Sequence, residues 1–136
     1  MKKVAILVLT MMLTMGLMAC GTQELSEEFD EATVKAAAEE LVGYVNVDDV
    51  EGFCSVPMSA QMKEAMTVET TQSIFDQYLS DKGAFIDYTN CVVVGATDDA
   101  GVNSAVVLLI AKYENKTVSY TISYDVDMNL IGFYLK

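Results

Sequence analysis

Within 136 residues the chain sets 20 acidic side chains against eight basic ones, all of them lysines, and it has no histidine, arginine or tryptophan. That length suits one domain with a sizeable core, and so acidic a surface repels phosphate backbones, which argues against nucleic acid as a partner. The missing residue types exclude a Ser-His-Asp or Cys-His arrangement, an imidazole metal site and an arginine clamp, and the scattered glycines form no phosphate loop.

The first element is "MKKVAILVLTMMLTMGLMAC": Lys2 and Lys3, an apolar run from Val4 to Met18, and a small residue before a cysteine. This is the layout of an export signal. As a helix, Val4 to Ala19 would rise roughly 24 Å, short of the roughly 30 Å that a hydrocarbon core requires. A cleaved signal over residues 1–19 is therefore expected rather than a retained span. Leu17, Met18, Ala19 and Cys20 resemble the lipobox of bacterial lipoproteins, with Met18 where Ala or Ser is commoner. The resemblance implies a diacylglyceryl group on the Cys20 thiol and cleavage just before it. It also implies a protein anchored by lipid to the bacterial cell membrane, facing outside the cytoplasm. Two acyl chains, at about 0.8 kcal/mol per buried CH₂, hold a small domain without help from its charge. Residues 20–28, polar and acidic, read as a flexible tether.

The folded domain is expected over residues 29–136. "FDEATVKAAAEELVGYV" is rich in helix formers, and Val34, Ala37, Ala38, Leu41, Val42 and Val45 share one stripe. A second helix is expected in "NVDDVEGFC", capped by Asn46 or Asp48, with Val47, Val50, Phe53 and Cys54 inward. Pro57 breaks it, Ser59 caps "AQMKEAM", and Thr67 caps "VETTQSIFDQYLSDKG" with Val68, Thr71, Phe75, Tyr78 and Leu79 inward. Gly83 ends that helix.

The second half reads as strands. "VSYTISYDV" alternates, with Val118, Tyr120, Ile122, Tyr124 and Val126 on one face. "VNSAVVLLIAKY" precedes it across a tight "ENK" turn, "AFIDYTNCVVVG" comes earlier, beyond the loop "ATDDAG", and "LIGFYLK" closes the chain. Helices first and then four strands argue for an α+β class, with the N-terminal helices packed on a curved four-stranded antiparallel sheet.

The passages "DVEGF", "LSDKGAF" and "YTISYDVDMNLIGFYL", with Gly83 to Phe85 leading into the sheet and Ile131 to Phe133 in the last strand, resemble an uncharacterised bacterial family. That family has the nuclear-transport-factor-2-like (cystatin-like) cone fold. The resemblance covers Phe29 to Lys136 and implies a cone-shaped domain with no activity to carry over. Cone folds elsewhere host isomerases and dehydratases that use an acid or base and a tyrosine inside the cone. Here Tyr78, Tyr88, Tyr120 and Tyr124 are the candidate pocket lining and Asp87 is near, but no carboxylate alternates onto the inner face between Val118 and Val126.

Three further motifs have plainer readings. "DVDMN" opens like a calcium loop, but Leu130 stands where glycine is needed and Lys136 where glutamate is needed, so a hairpin turn with Asx hydrogen bonds is expected. Cys54 and Cys91, left over once Cys20 is lipidated, are a candidate disulfide. "NKT" at Asn115 reads as a turn, and the acidic groups at Asp30, Asp48 to Glu51 and Asp98 as solvated surface able to meet a cationic protein.

The sequence thus points to a membrane-anchored binding or interaction module of unknown ligand, without cofactor or metal, for which a small apolar molecule and a cationic protein are the candidates. The alternatives are an isomerase-like or hydrolytic enzyme with a tyrosine and carboxylate pocket, and a structural or inhibitory envelope protein acting through its acidic surface.

Overall fold

The computed structural model describes residues 23–136. The export signal and Cys20 lie outside the described residues. Helix α1 (Glu31–Asn46) starts at Asp30, whose carboxylate accepts from the Thr33 amide at 3.0 Å and the Thr33 hydroxyl at 2.6 Å. These bonds supply a partner for one of the amides that a helix start leaves unpaired, and they hold the Asp30 carboxyl below its ordinary pKa. Val34, Ala38, Leu41, Val42 and Val45 are fully buried along one stripe, and Ala37 packs at its margin.

Helix α2 (Val50–Ser55) is shorter than the sequence suggested and is capped by Asp49, not by Asn46 or Asp48. Asn46 instead completes α1, and Asp48 takes a left-handed backbone (φ 56°) that reverses the chain between the helices. The reversal turns Val47 out of the expected inner face, to 72% exposure, while Val50 and Phe53 stay buried.

Ser59 accepts from the Met62 amide at 3.2 Å to start helix α3 (Ala60–Ala65), as the sequence suggested. Ser59→Ala is expected to cost about 1 kcal/mol, read as a lower urea midpoint at unchanged m-value. Thr67 likewise caps helix α4 (Val68–Ile74), which widens into a π-helical turn over Phe75–Leu79. Thr71, Phe75 and Leu79 are buried, but Val68 and Tyr78 are about half exposed. The wider turn carries Tyr78 off the stripe that an unbroken α-helix would have kept.

The sheet is an open antiparallel meander in the order β1 (Phe85–Thr97), β2 (Asn103–Tyr113), β3 (Thr117–Tyr124), β4 (Leu130–Leu135). The helices cover one face, where Ala105, Val107, Leu109, Ala111 and Tyr113 of β2 meet Val118, Tyr120, Ile122 and Tyr124 of β3. Val126 is exposed rather than inward, because β3 ends at Tyr124 and Asp125 begins the turn. The Asp125 carboxylate accepts from the amides of Asp127 (3.0 Å) and Asn129 (2.8 Å), the expected Asx turn.

Gly83 has φ 78°, and a β-carbon there would press on Glu114 and Asn115 of the β2–β3 turn. It lets the turn close against the end of the π-helical segment: the Asn115 amide donates to the Lys82 carbonyl, and the Glu114 amide to that of Ala84. The fold is thus α+β, with helices on one face of a four-stranded open sheet. Among the described residues no helix is long and apolar enough to cross a membrane.

Candidate functional site

The candidate tyrosines do not share one pocket. Tyr120, on β3, and Tyr113, on β2, project from adjacent strands into the interior, where their hydroxyls lie 2.8 Å apart. Tyr113 donates to Asn46 Oδ1 of α1 at 2.6 Å, so its oxygen accepts the proton of Tyr120. Asn46 Nδ2 in turn donates to the Tyr88 hydroxyl at 3.1 Å, and Tyr88 donates to the Glu39 carbonyl at 3.3 Å. Every hydroxyl proton in this chain is committed, and the chain ends on a helix carbonyl rather than on a carboxylate. Burial pushes the Tyr113 phenol up to about 12 and also raises Tyr88 and Tyr120. A neutral, mutually bonded core network of this kind locks α1 onto the sheet.

Lys82 stands beside it, only 4% exposed. Its ammonium donates to Asp48 at 2.9 Å and lies 5.8 Å from the centre of the Tyr113 ring. Neither Lys82 nor Tyr113 was among the sequence candidates. The β2 alternation through Ala111 could have marked Tyr113 as inward, but nothing local marks a buried lysine.

The other two candidate tyrosines face different openings. Tyr124 lines a cleft of about 190 Å³ with Glu40, Tyr44, Ser55, Pro57 and Met128. There the Tyr44 hydroxyl donates to Glu40 at 3.3 Å, and burial raises the Tyr124 phenol. Tyr78 lies in a shallow apolar groove of about 330 Å³ between the π-helical turn and β4, with Ile74, Phe133, Tyr134 and Leu135. Beside it, Lys116 donates to the Tyr78 carbonyl at 2.5 Å and pairs with Asp81 at 2.8 Å, which lowers the Asp81 carboxyl. Asp87 is exposed and caps its own neighbour, the Tyr88 amide.

Cys54 and Cys91 are free thiols. The Cys54 Sγ points to Thr71 Oγ1 at 3.4 Å, whereas Cys91 lies on β1 opposite Leu109, its thiol pKa raised by burial. Among the described residues no group of His, Cys, Asp or Glu could hold a metal ion.

Among the described residues, none covers the face of the sheet away from the helices. Val92, Leu108, Thr121 and Tyr134 are cross-strand neighbours in register across all four strands. Val92, Leu108 and Tyr134 are exposed, and Val94, Val106 and Ile110 beside them are half-buried.

Helices packed on an open meander sheet, with a closed tyrosine core, define a small α+β domain. The chain belongs to the family described as "Protein of unknown function (DUF3887)", which it matches over residues 38–133. It is similar to the protein in "NMR structure of protein from Ruminococcus gnavus ATCC 29149", with 30% identity and a TM-score of 0.68, over 82% of this chain and 96% of that one. No curated protein matches the chain.

Proposed function

We propose that the protein is a lipid-anchored interaction module on the outer side of a bacterial cell membrane, built on a nuclear-transport-factor-2-like cone that binds another protein. The observation that carries this reading is the contrast between the two faces of the sheet. The helix-covered face is filled by a network whose hydroxyls bind one another, while the row Val92, Leu108, Thr121 and Tyr134 lies open. An uncovered apolar face on a strongly acidic body suits a partner that offers an apolar patch ringed by basic groups. The resemblance of Leu17 to Cys20 to a lipobox supports the anchor.

A photo-reactive residue at position 108 should give a protein adduct in the native cells, and one at the exposed position 47 should not. Equal labelling at both positions would reject the sheet face as the binding surface. For the anchor, Cys20→Ser should abolish both the acyl mass and membrane association.

A second reading, a small ligand or substrate in the Tyr124 cleft, is favoured by the meeting of the Glu40 carboxylate and the Tyr44 hydroxyl there. It predicts a small molecule retained by the purified domain in native mass spectrometry and displaced by Tyr44→Ala.

A further inference from the structure

The run expected to be a loose tether is docked from Gln23 onward. The Gln23 carbonyl accepts from the Gly95 amide at 2.9 Å, and its side chain donates to Thr97 Oγ1 at 2.7 Å. Thr97 bonds Asn103 across the β1–β2 end at 2.8 Å, and Asn103 Nδ2 donates back to Glu28 at 2.8 Å. Leu25 and Phe29 pack on the core. Gly95 makes room for this strap, since a β-carbon there would collide with the Glu24 carbonyl. The reason is polar and local: the strap supplies an acceptor to an edge amide of β1 that no strand covers.

Only Gly21 and Thr22 separate Gln23 from Cys20. Three Cα steps span at most about 11 Å, whereas nine residue steps along a strand, as from Asn103 to Lys112, span about 30 Å. We infer that the β1–β2 end of the sheet, the turn Asp98–Val102 together with the strap, is the surface the domain presents to the lipid bilayer. The groove at Tyr78 and the β2–β3 turn then point away from the membrane. This orientation rests on the reading of Cys20 as the lipidated residue.

Charge works against it, which makes it testable. The strap and turn carry Glu24, Glu27, Glu28, Asp98 and Asp99 without a lysine, while at the other end Lys82, Lys112, Lys116 and Lys136 are offset by Asp48, Asp81, Asp87 and Glu114. On anionic lipid the lysine end, close to neutral, would be repelled less than the strap end, so electrostatics alone would favour seating the lysine end. A tether of about 11 Å prevents that, because the lysine end cannot reach the surface while the strap stays docked.

The test uses the full chain, expressed in a bacterium that processes lipoproteins and reconstituted into phosphatidylcholine vesicles with and without phosphatidylglycerol. A fluorescent amino acid replaces Ala100 or Lys112, and a headgroup-attached quencher reports depth. Quenching several-fold stronger at position 100 in both lipids is expected, and a ten-residue Gly-Ser insertion between Thr22 and Gln23 should erase the difference. Equal quenching, or stronger quenching at position 112, in protein whose mass shows the diacylglyceryl group overturns the orientation while leaving the anchor standing. Absence of the acyl mass overturns both.

Discussion

Phe53→Ala is expected to lower stability by about 3–5 kcal/mol, the range for a fully buried aromatic truncated to alanine. Phe53 is completely buried and joins its own helix to two other parts of the fold. It is held in α2, meets Phe75 of the π-helical turn edge-on at 5.7 Å, and meets Phe133 of β4 edge-on at 5.0 Å. Such pairs add about 0.5–1.5 kcal/mol each beyond the area they bury. The hole left by truncation cannot close by moving one neighbour, because its walls belong to elements fixed independently, β4 by the ladder to β3 and the π-helical turn by Leu79. At about 4–8 °C per kcal/mol for a domain near this size, the melting temperature should fall by more than 10 °C. Val47→Ala, at a site 72% exposed just before the left-handed Asp48, should change stability by less than about 0.5 kcal/mol. A Phe53→Ala variant that unfolds within about 1 kcal/mol of the parent would show that the α2 seam is not packed as described.

What the sequence made legible was the part governed by period. The α1 stripe and the β3 alternation from Val118 to Tyr124 are both found as expected, because burial of one face imposes 3.6 or 2 on the residues themselves. The departures fall where one residue's conformation resets the phase. Asp48, in the left-handed region, turns Val47 outward, and the wide turn after Ile74 does the same to Tyr78. Neither event has a periodic signature, and each moved a residue the sequence had placed inside. The strap is a third case: "GTQELSEE" is polar enough to read as a tether, and from Gln23 onward it docks on partners distant in the sequence, such as the Gly95 amide, Thr97 and Asn103.

The candidate site was legible in its residue type and not in its wiring. Inward tyrosines could be named from alternation, yet whether they line a cavity or fill it depends on what the facing helix supplies. Here α1 supplies Asn46, which both accepts from Tyr113 and donates to Tyr88. One amide thereby joins two strands to one helix. The same residue reads from the sequence as a helix cap, a role that its position inside α1 removes. Lys82 is harder still, because a lysine at the end of a polar helix ordinarily reads as surface, and only the Asp48 carboxylate and the Tyr113 ring explain its burial.

The wiring gives the second large effect. Tyr113→Phe should cost about 1–3 kcal/mol, since it strands the Asn46 carbonyl oxygen and the Tyr120 hydroxyl together in a buried place. Tyr120→Phe should cost less, about 1 kcal/mol or below, because Tyr120 begins the chain and Tyr113 keeps its bond to Asn46 without it. The same groups set the alkaline limit. Burial raises the Tyr113 phenol from 10.0 to about 12 and raises Tyr120 and Tyr124 as well. As pH passes 10.0 the unfolded chain gives up tyrosine protons that the folded chain retains, so the unfolded state binds fewer protons and stability falls with pH. The contribution is complete below pH 10.0 and is lost as pH climbs through 10.0 toward about 12. Urea midpoints should therefore hold level between about pH 7 and pH 9 and decline above pH 10. The Tyr113→Phe and Tyr120→Phe double variant should start from a lower midpoint but decline less steeply, having lost two of the protons at issue. An equally steep decline in the double variant would place the alkaline sensitivity outside this network, in Tyr124 or Tyr88, and would detach the pH limit from the contact that locks α1 to the sheet.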